Sequence, residues 1–122
     1  MDIIISPRSD TAIYTQIVEQ ITAQILQGKL PSGAALPPIR TVARQLEISV
    51  ITVKKAWEEL ERGGLIEPRV GRGTVVAAQA QADLDDKRLR LAQDRLAKDL
   101  DYYRGLGLSL EELIALVRRH YD

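Results

Sequence analysis

The sequence predicts a mainly helical (α+β) fold with one small β-hairpin, and three observations predict it. Thr41–Trp57 holds two short segments of helical apolar periodicity separated by a tight turn. Soon after it, the β-prone runs 65–68 and 74–77 flank a glycine-containing turn. Apolar stripes at helical spacing also occupy residues 11–27 and residues 79–122. Two short helices followed by a hairpin form a winged helix-turn-helix, here with a short C-terminal α-hairpin after it.

Length and composition limit the chain to one core domain with a small appendage. It has 122 residues, of which 45% are hydrophobic, so a packed core is expected. With no phenylalanine and one tryptophan, that core must consist of Ile, Leu, Val and Ala. The absence of cysteine excludes disulfides and thiolate metal sites. No apolar run reaches transmembrane length, and the N-terminus is too short and too acidic for a signal peptide, so we expect a cytoplasmic protein without a membrane partner.

Charge is balanced over the whole chain and slightly basic where the helix-turn-helix is predicted. Lysine and arginine number 17, as do aspartate and glutamate, so the formal net charge is zero. From Arg40 to Arg72 there are seven basic and five acidic residues, and three of the acidic ones cluster at 58–61. This distribution predicts a basic edge rather than a basic face. Non-specific DNA affinity should therefore be weak, and useful affinity should need two copies of the chain.

Residues 1–78 are predicted to form the winged helix-turn-helix domain. They open with the apolar run Ile3–Ile5, which we expect to be an edge strand. A helix over Thr11–Gln27 follows, with an isoleucine at every fourth position on one face and Gly28 just beyond its end. Lys29–Pro38 contains three prolines and is expected to be a loop.

The helix-turn-helix is predicted to begin after this loop. The first helix buries the apolar positions Ile39, Val42, Ala43 and Leu46. Ser49 is a suitable N-cap for the second helix. The second helix buries a stripe at Val53, Ala56, Trp57 and Leu60. A recognition helix reaches base edges with its N-terminal end. The residues near that end that lie off the buried stripe are Val50, Ile51, Thr52, Lys54 and Lys55.

The predicted hairpin tip carries further candidate contacts to nucleic acid. Arg69 and Arg72 make the tip basic, and Gly71 and Gly73 suit a tight turn. A basic tip beside a recognition helix suits the DNA backbone that flanks the major groove.

Residues 79–122 are predicted to form a two-helix dimerisation tail. The apolar stripe of its first helix consists of Leu89, Ala92, Leu96, Leu100 and Tyr103. Ser109 opens the second helix with Glu112 three residues on, which is a capping box, and this helix carries Leu113 and Val117 on its apolar face. Two helices this short need a partner surface for their stripes. A second copy of the chain is the simplest partner, which predicts a homodimer.

Five short motifs carry a resemblance to a known family. They are IYTQI at Ile13–Ile17, LPPIR at Leu36–Arg40, VARQL at Val42–Leu46, ISVITVKKA at Ile48–Ala56 and GRGT at Gly71–Thr74. In these motifs the chain resembles the N-terminal domain of GntR-type bacterial transcription regulators. Its short helical tail resembles the YtrA subfamily, which implies dimerisation through two helices without a large effector domain.

The resemblance implies roles for individual residues. It implies that Arg40 contacts a phosphate or a base, and that Ser49 and Thr52 touch the backbone or bases. Lys54 stands where the family commonly has an arginine that contacts the operator. The resemblance further implies that the wing enters or follows the minor groove at Gly71 and Gly73, with Arg72 inserted or paired to a phosphate.

Two positions depart from the family pattern. Val50 stands where many relatives have a basic or polar residue, which removes a guanine contact and leaves open a thymine-methyl contact from Val50 or Ile51. Glu47 occupies a turn position that is often glycine, which implies a different turn geometry.

Several alternatives stay open at the level of sequence. Lys54 and Lys55 also fit a solvated helix face, and the wing glycines also fit a turn without DNA contact. Arg40 also fits a cap or an ion pair with Glu47 or another carboxylate. No arrangement of nucleophile, base, metal ligand or phosphate loop is present, so neither an enzyme nor a cofactor is expected.

Two functions compete. The first is a homodimeric, sequence-specific transcription regulator, a repressor that binds a palindromic double-stranded operator. The alternative is a winged-helix protein-interaction module centred on exposed Val50 and Ile51, without DNA binding. A small-molecule effector of unknown identity stays open for the first.

Overall fold

The computed structural model describes all 122 residues and confirms the predicted fold class. The elements in chain order are α1 (Ile13–Leu26), α2 (Ile39–Leu46), α3 (Val50–Arg62), β1 (Ile66–Arg69), β2 (Gly73–Val76), α4 (Gln81–Gly105) and α5 (Leu110–Tyr121). The chain divides into two compact units, Met1–Leu84 and Asp85–Asp122, whereas the boundary expected from sequence follows residue 78. None of the helices is both long and apolar enough to cross a membrane.

The core of the first unit joins the apolar stripes of α1 and α3. Ile17, Ile21, Val53 and Leu60 are fully buried, and Trp57 is 3% exposed. The two strands close this core with the buried side chains of Ile66 and Val76. Because α3 uses one side for the core, its opposite side and its N-terminal end are left to solvent.

The turn between α2 and α3 is held by backbone hydrogen bonds around one left-handed residue. Glu47 has φ 57° and ψ 44°, and it is the only residue other than glycine with a positive φ. The Ile48 N–H donates to the Ala43 carbonyl at 3.0 Å across this turn. A glutamate in this conformation costs about 1 kcal/mol relative to glycine, so the rest of the motif must hold it there.

The wing is a two-stranded antiparallel hairpin in which Ile66 pairs with Val76 and Arg69 with Gly73. The predicted loop Lys29–Pro38 contributes to it, because Ala35 forms an antiparallel bridge with Val75 on the other edge of β2. The Val76 N–H donates to the Ala34 carbonyl at 2.9 Å, beside this bridge. The loop therefore fixes the base of the wing to the core.

The N-terminal segment is not the edge strand that its sequence predicts. Residues 2–6 pair with no strand and are bonded to α1 instead. Three glutamines of α1 bond the backbone of every second residue of the segment, in the pairs Gln24–Asp2, Gln20–Ile4 and Gln16–Ser6. Gln20 bonds both backbone groups of Ile4, since the Ile4 N–H donates to Gln20 Oε1 at 2.9 Å and Gln20 Nε2 donates to the Ile4 carbonyl at 2.6 Å.

The rise per residue in a helix and in an extended chain explains why these three glutamines reach alternate residues of the segment. Four helical residues rise about 6 Å and two extended residues span about 6.6 Å, so side chains at every fourth helical position reach alternate residues of an extended chain. Ile3 and Ile5 then point to the core and are half-buried, while Ile4 is 79% exposed. The glutamine side chains thus replace a neighbouring strand.

Replacing Gln20 by alanine is expected to release this segment. Two hydrogen bonds are lost, so the free energy of unfolding should fall by about 1 kcal/mol, and the amide of Ile4 should exchange faster. Hydrogen exchange and urea unfolding measure both effects. Gln27→Ala is the matched control, because Gln27 caps the same helix and its side chain bonds nothing. Unchanged exchange at Ile4 would mean that the apolar contacts of Ile3 and Ile5 hold the segment by themselves.

The second unit consists of most of α4 and of α5, and neither helix has a buried residue. Half-buried apolar residues flank the turn between them, at Leu100, Tyr103, Leu108 and Leu113. The predicted capping box is confirmed: the Glu112 N–H donates to Ser109 Oγ at 3.1 Å, and the Ser109 N–H donates to Glu112 Oε1 at 3.0 Å. The hydrogen bond from the Ser109 backbone, followed by that from its side chain, lowers the pKa of the Glu112 carboxyl.

The lowered pKa of Glu112 makes the start of α5 sensitive to acid. A carboxyl whose pKa is lower in the folded state stabilises it at pH values above the ordinary glutamate pKa, and this contribution is lost as the pH falls through the folded pKa. We expect α5 to fray from Ser109 over that acidic range. An NMR titration of Glu112 should give a lowered pKa that rises part of the way towards the ordinary value in Ser109→Ala, because this variant removes the hydroxyl but keeps the backbone N–H that donates to Glu112. An identical Glu112 titration in both proteins would exclude the coupling.

Candidate nucleic-acid interface

The N-terminal end of α3 projects a polar cap and two apolar side chains. The Thr52 N–H donates to Ser49 Oγ at 3.2 Å, which confirms Ser49 as the N-cap. The two hydroxyls are also hydrogen-bonded to each other, with 2.8 Å between Ser49 Oγ and Thr52 Oγ1. Val50 is 45% exposed and Ile51 is 79% exposed. The freely exposed side chains at the tip of this helix are therefore apolar.

The two lysines of α3 differ in their surroundings. Lys55 Nζ lies 4.0 Å from the centroid of the Tyr14 ring, which is a cation–π contact between α3 and α1. Lys54 is exposed and makes no ion pair or hydrogen bond. Of the two, Lys54 is thus the side chain whose charge is fully available to an external anion.

The wing tip is a tight turn that requires its glycines. The Arg72 N–H donates to the Arg69 carbonyl at 3.0 Å and closes the turn. Gly71 has φ 77° and Gly73 has φ 70°. Residues other than glycine adopt this left-handed backbone conformation only at a cost in free energy. The space around both is open, so the requirement is conformational and not steric.

The two wing arginines are not equivalent either. Arg69 Nη2 lies 3.1 Å from Glu67 Oε1 on the same strand, and Arg69 Nε also donates to that oxygen at 3.3 Å. Arg72 is exposed and makes no side-chain hydrogen bond or ion pair. Although Arg69 remains accessible, part of its charge is balanced within the wing.

Arg40 and a neighbour missed by the sequence reasoning lie beside the tip of α3. Arg40 makes no ion pair, so the alternative pairing with Glu47 is absent in this structure. Arg44 stands one helical turn further along α2 and lines the same shallow surface depression as Arg40 and Val50. Arg44 is exposed and unpaired as well. The i, i+4 spacing of the two arginines is the signal that could have identified it.

The candidate dimer residues lie on the second unit with different exposures. Leu89 and Leu96 of α4 and Val117 of α5 are exposed, with 60%, 57% and 53% of their surfaces accessible. Ala92 is also exposed, while Leu100, Tyr103 and Leu113 are half-buried near the turn. Tyr103 packs edge-to-face on Tyr102, with 5.3 Å between the ring centroids. The stripes are therefore present but largely uncovered.

The fold defines a winged helix-turn-helix protein, a class that contacts DNA with the tip of its recognition helix and with its wing. The family model for bacterial regulatory proteins of the gntR family matches residues 13–76, which is more than half of the chain. The chain belongs to the gntR family and is a DNA-binding transcription regulator, not an enzyme.

Individual relatives cover both the helix-turn-helix and the tail. The chain is 36% identical to the HTH-type transcriptional repressor YtrA of Bacillus subtilis over 109 residues, which are 89% of this chain and 84% of YtrA. It is similar to the structure of a GntR family transcriptional regulator from Listeria monocytogenes, with a TM-score of 0.75, 26% identity and coverage of 91% and 96% of the two chains. The DNA-binding domain of AraR in complex with operator ORX1 covers 62% of this chain, with a TM-score of 0.53, 31% identity and 93% of that chain covered.

Proposed function

We propose that this protein is a homodimeric repressor that binds a palindromic operator with α3 and the wing of each copy. Residues 1–78 would bind DNA, and residues 79–122 would hold the dimer. Two α3 helices related by a two-fold axis would enter successive major grooves, about one helical turn of DNA apart. Bound across a promoter, the dimer would block polymerase sterically.

The observation that carries this proposal is that cations without partners lie beside the accessible end of α3 and on the tip of the wing. Arg40, Lys54 and Arg72 are exposed and have no partner within the chain, although the chain as a whole is neutral. When such cations contact DNA phosphates, counterions condensed on the DNA are released, and this release favours binding. The proposed DNA-contacting set is Arg40, Ser49, Val50, Ile51, Thr52, Lys54, Lys55, Arg69, Gly71, Arg72 and Gly73, to which we add Arg44.

Homodimerisation is supported by the uncovered tail. Helices without buried residues gain little stability from packing in a single chain, because most of the stability of a helix in a protein comes from its packed apolar face. The two tail helices expose several large apolar side chains, including Leu96, Leu110 and Val117. The proposed interface comprises Leu89, Ala92, Leu96, Leu100, Tyr103, Leu113 and Val117.

The relatives support repression and operator binding. The Bacillus subtilis relative is described as a transcriptional repressor, and the AraR domain was solved in complex with an operator. This similarity favours DNA binding over the alternative of a protein-interaction module.

Fluorescence anisotropy tests the proposal. The full chain would be titrated against the duplex upstream of its own gene and against a scrambled duplex, over a series of salt concentrations. We expect binding to the upstream duplex alone, at two chains per duplex, with affinity falling steeply as salt increases. Equal and feeble binding to both duplexes would contradict the proposal, and binding of a single chain per duplex would contradict the dimer.

A further inference from the structure

We propose that the tip of α3 recognises thymine through the 5-methyl group, with Ile51 as the main specificity-determining side chain and Val50 beside it. The inference rests on the proposed function and deepens it, since it names the chemical feature of the operator that α3 reads. It predicts a thymine in each half-site whose methyl group contributes to affinity.

Ile51 lies on the side of α3 that faces away from the core. The core stripe of α3 includes Val53, and a residue two positions away lies about 200° around the helix, on the opposite side. Ile51 accordingly makes no contribution to the core and is 79% exposed. A side chain so exposed contributes little to the packing of the core.

The hydroxyl groups that share this tip are already hydrogen-bonded to each other. Ser49 and Thr52 carry the only hydroxyls at the start of α3, and each is engaged with the other at 2.8 Å. Ser49 Oγ also accepts the Thr52 N–H, so it caps the helix. A base contact by either hydroxyl would have to compete with these bonds. The side chains presented freely at the tip are therefore Val50 and Ile51.

Charged side chains lie close to the apolar pair Val50 and Ile51. Lys54 lies three residues from Ile51 on the same face of α3, and it is unpaired. Arg40 and Arg44 line a depression with Val50, and Glu47 is the one carboxylate that lines it, so the cations there outnumber the anion. An apolar protein partner would bury these cations at a cost, whereas a DNA duplex offers phosphates to them. The surroundings favour DNA as the occupant of the apolar pair.

The base edges in the major groove of DNA differ in polarity. Among the groups on base edges in the major groove, the thymine methyl is the apolar one, and the others are hydrogen-bond donors and acceptors. If Ile51 were placed against those polar groups, they would lose their hydrogen bonds to water and gain none in return. Placed against a thymine methyl, it buries apolar surface on both sides. Thymine is thus the base that this tip favours.

The test replaces thymine by deoxyuridine, which lacks only the methyl group. Operators would first be selected from random-sequence duplexes with the full chain, and each thymine of the selected duplex would then be replaced singly. We expect that replacing the contacted thymine in one half-site weakens binding about fourfold, because one buried methyl group is lost. Replacing it in both half-sites should weaken binding about 15-fold. Ile51→Ala should bind the thymine and deoxyuridine duplexes almost equally.

Ile4→Ala is the matched control, since Ile4 is also an isoleucine with 79% exposure and lies in the N-terminal segment. It should retain the full preference for thymine. Three outcomes would overturn this inference while leaving specific DNA binding intact. The selected half-sites could lack thymine, or the deoxyuridine replacements could leave the affinity unchanged. Alternatively, Ile51→Ala and Val50→Ala could both remain as sensitive to deoxyuridine as the unsubstituted protein. If no duplex is enriched, the proposed function fails and this inference fails with it.

Discussion

Replacing Lys54 by alanine is expected to weaken operator binding about 100-fold, since each of two half-sites would lose a contact worth about 1.4 kcal/mol. The expectation is large because Lys54 is exposed on α3 and has no partner within the chain. If Lys54 meets a phosphate, the plot of log affinity against log salt should become shallower by about 1.8, which corresponds to two phosphate contacts per dimer. Anisotropy over a salt series measures both quantities.

Arg62→Ala is the matched control for this prediction. It removes the same charge from the same helix, but Arg62 lies at the other end of α3 and pairs with Glu59, with 2.5 Å between Arg62 Nη1 and Glu59 Oε1. Its loss should change affinity little. Equal losses in Lys54→Ala and Arg62→Ala would indicate that only the overall charge of the chain matters, and would contradict a specific role for Lys54.

Placing a charge on the exposed tail stripe is expected to separate the dimer. Val117→Asp puts a carboxylate on a side chain that is 53% exposed in the single chain and that the proposed interface would bury. An unpaired buried charge is strongly destabilising, so the protein should sediment as a monomer. Operator affinity should then fall by about 100-fold or more, because binding through two linked sites is lost. Analytical ultracentrifugation and anisotropy measure the two effects.

Ala115→Asp separates the interface from a general effect of charge. Ala115 is exposed on α5, two residues from Val117 and hence on the far side of the helix. This variant should remain a dimer. Leu96→Asp extends the same test to α4, where Leu96 is 57% exposed. A dimer that persists in both Val117→Asp and Leu96→Asp would place the interface elsewhere on the chain.

Elements defined by local patterns could be predicted from sequence. The apolar stripe of α3 and its cap at Ser49 depend only on neighbours within one helix, and both are observed. The capping box of α5 is likewise local. The wing was predictable because two β-prone runs flank glycines that can adopt positive φ.

Elements defined by distant partners could not be predicted in the same way. Ile3–Ile5 has the composition of a strand, yet it bonds to glutamine side chains of α1 and not to another strand. Nothing within that segment identifies Gln20 as its partner, since 16 residues separate Ile4 from Gln20. The bridge between Ala35 and Val75 could not be predicted either, because Ala35 lies in a proline-rich loop and its partner is distant in the sequence.

The candidate site shows the same division. The helix-turn-helix, the wing, the family and most of the basic residues near the tip of α3 could be predicted from the sequence, because spacing and residue type are local properties of the chain; Arg44 could not be singled out in this way. Only the tertiary structure distinguished Lys54 from Lys55 and Arg72 from Arg69, since Tyr14 and Glu67 engage one member of each pair. A side chain's charge is fully available to DNA when no folded neighbour engages it, and such neighbours are brought together only by folding.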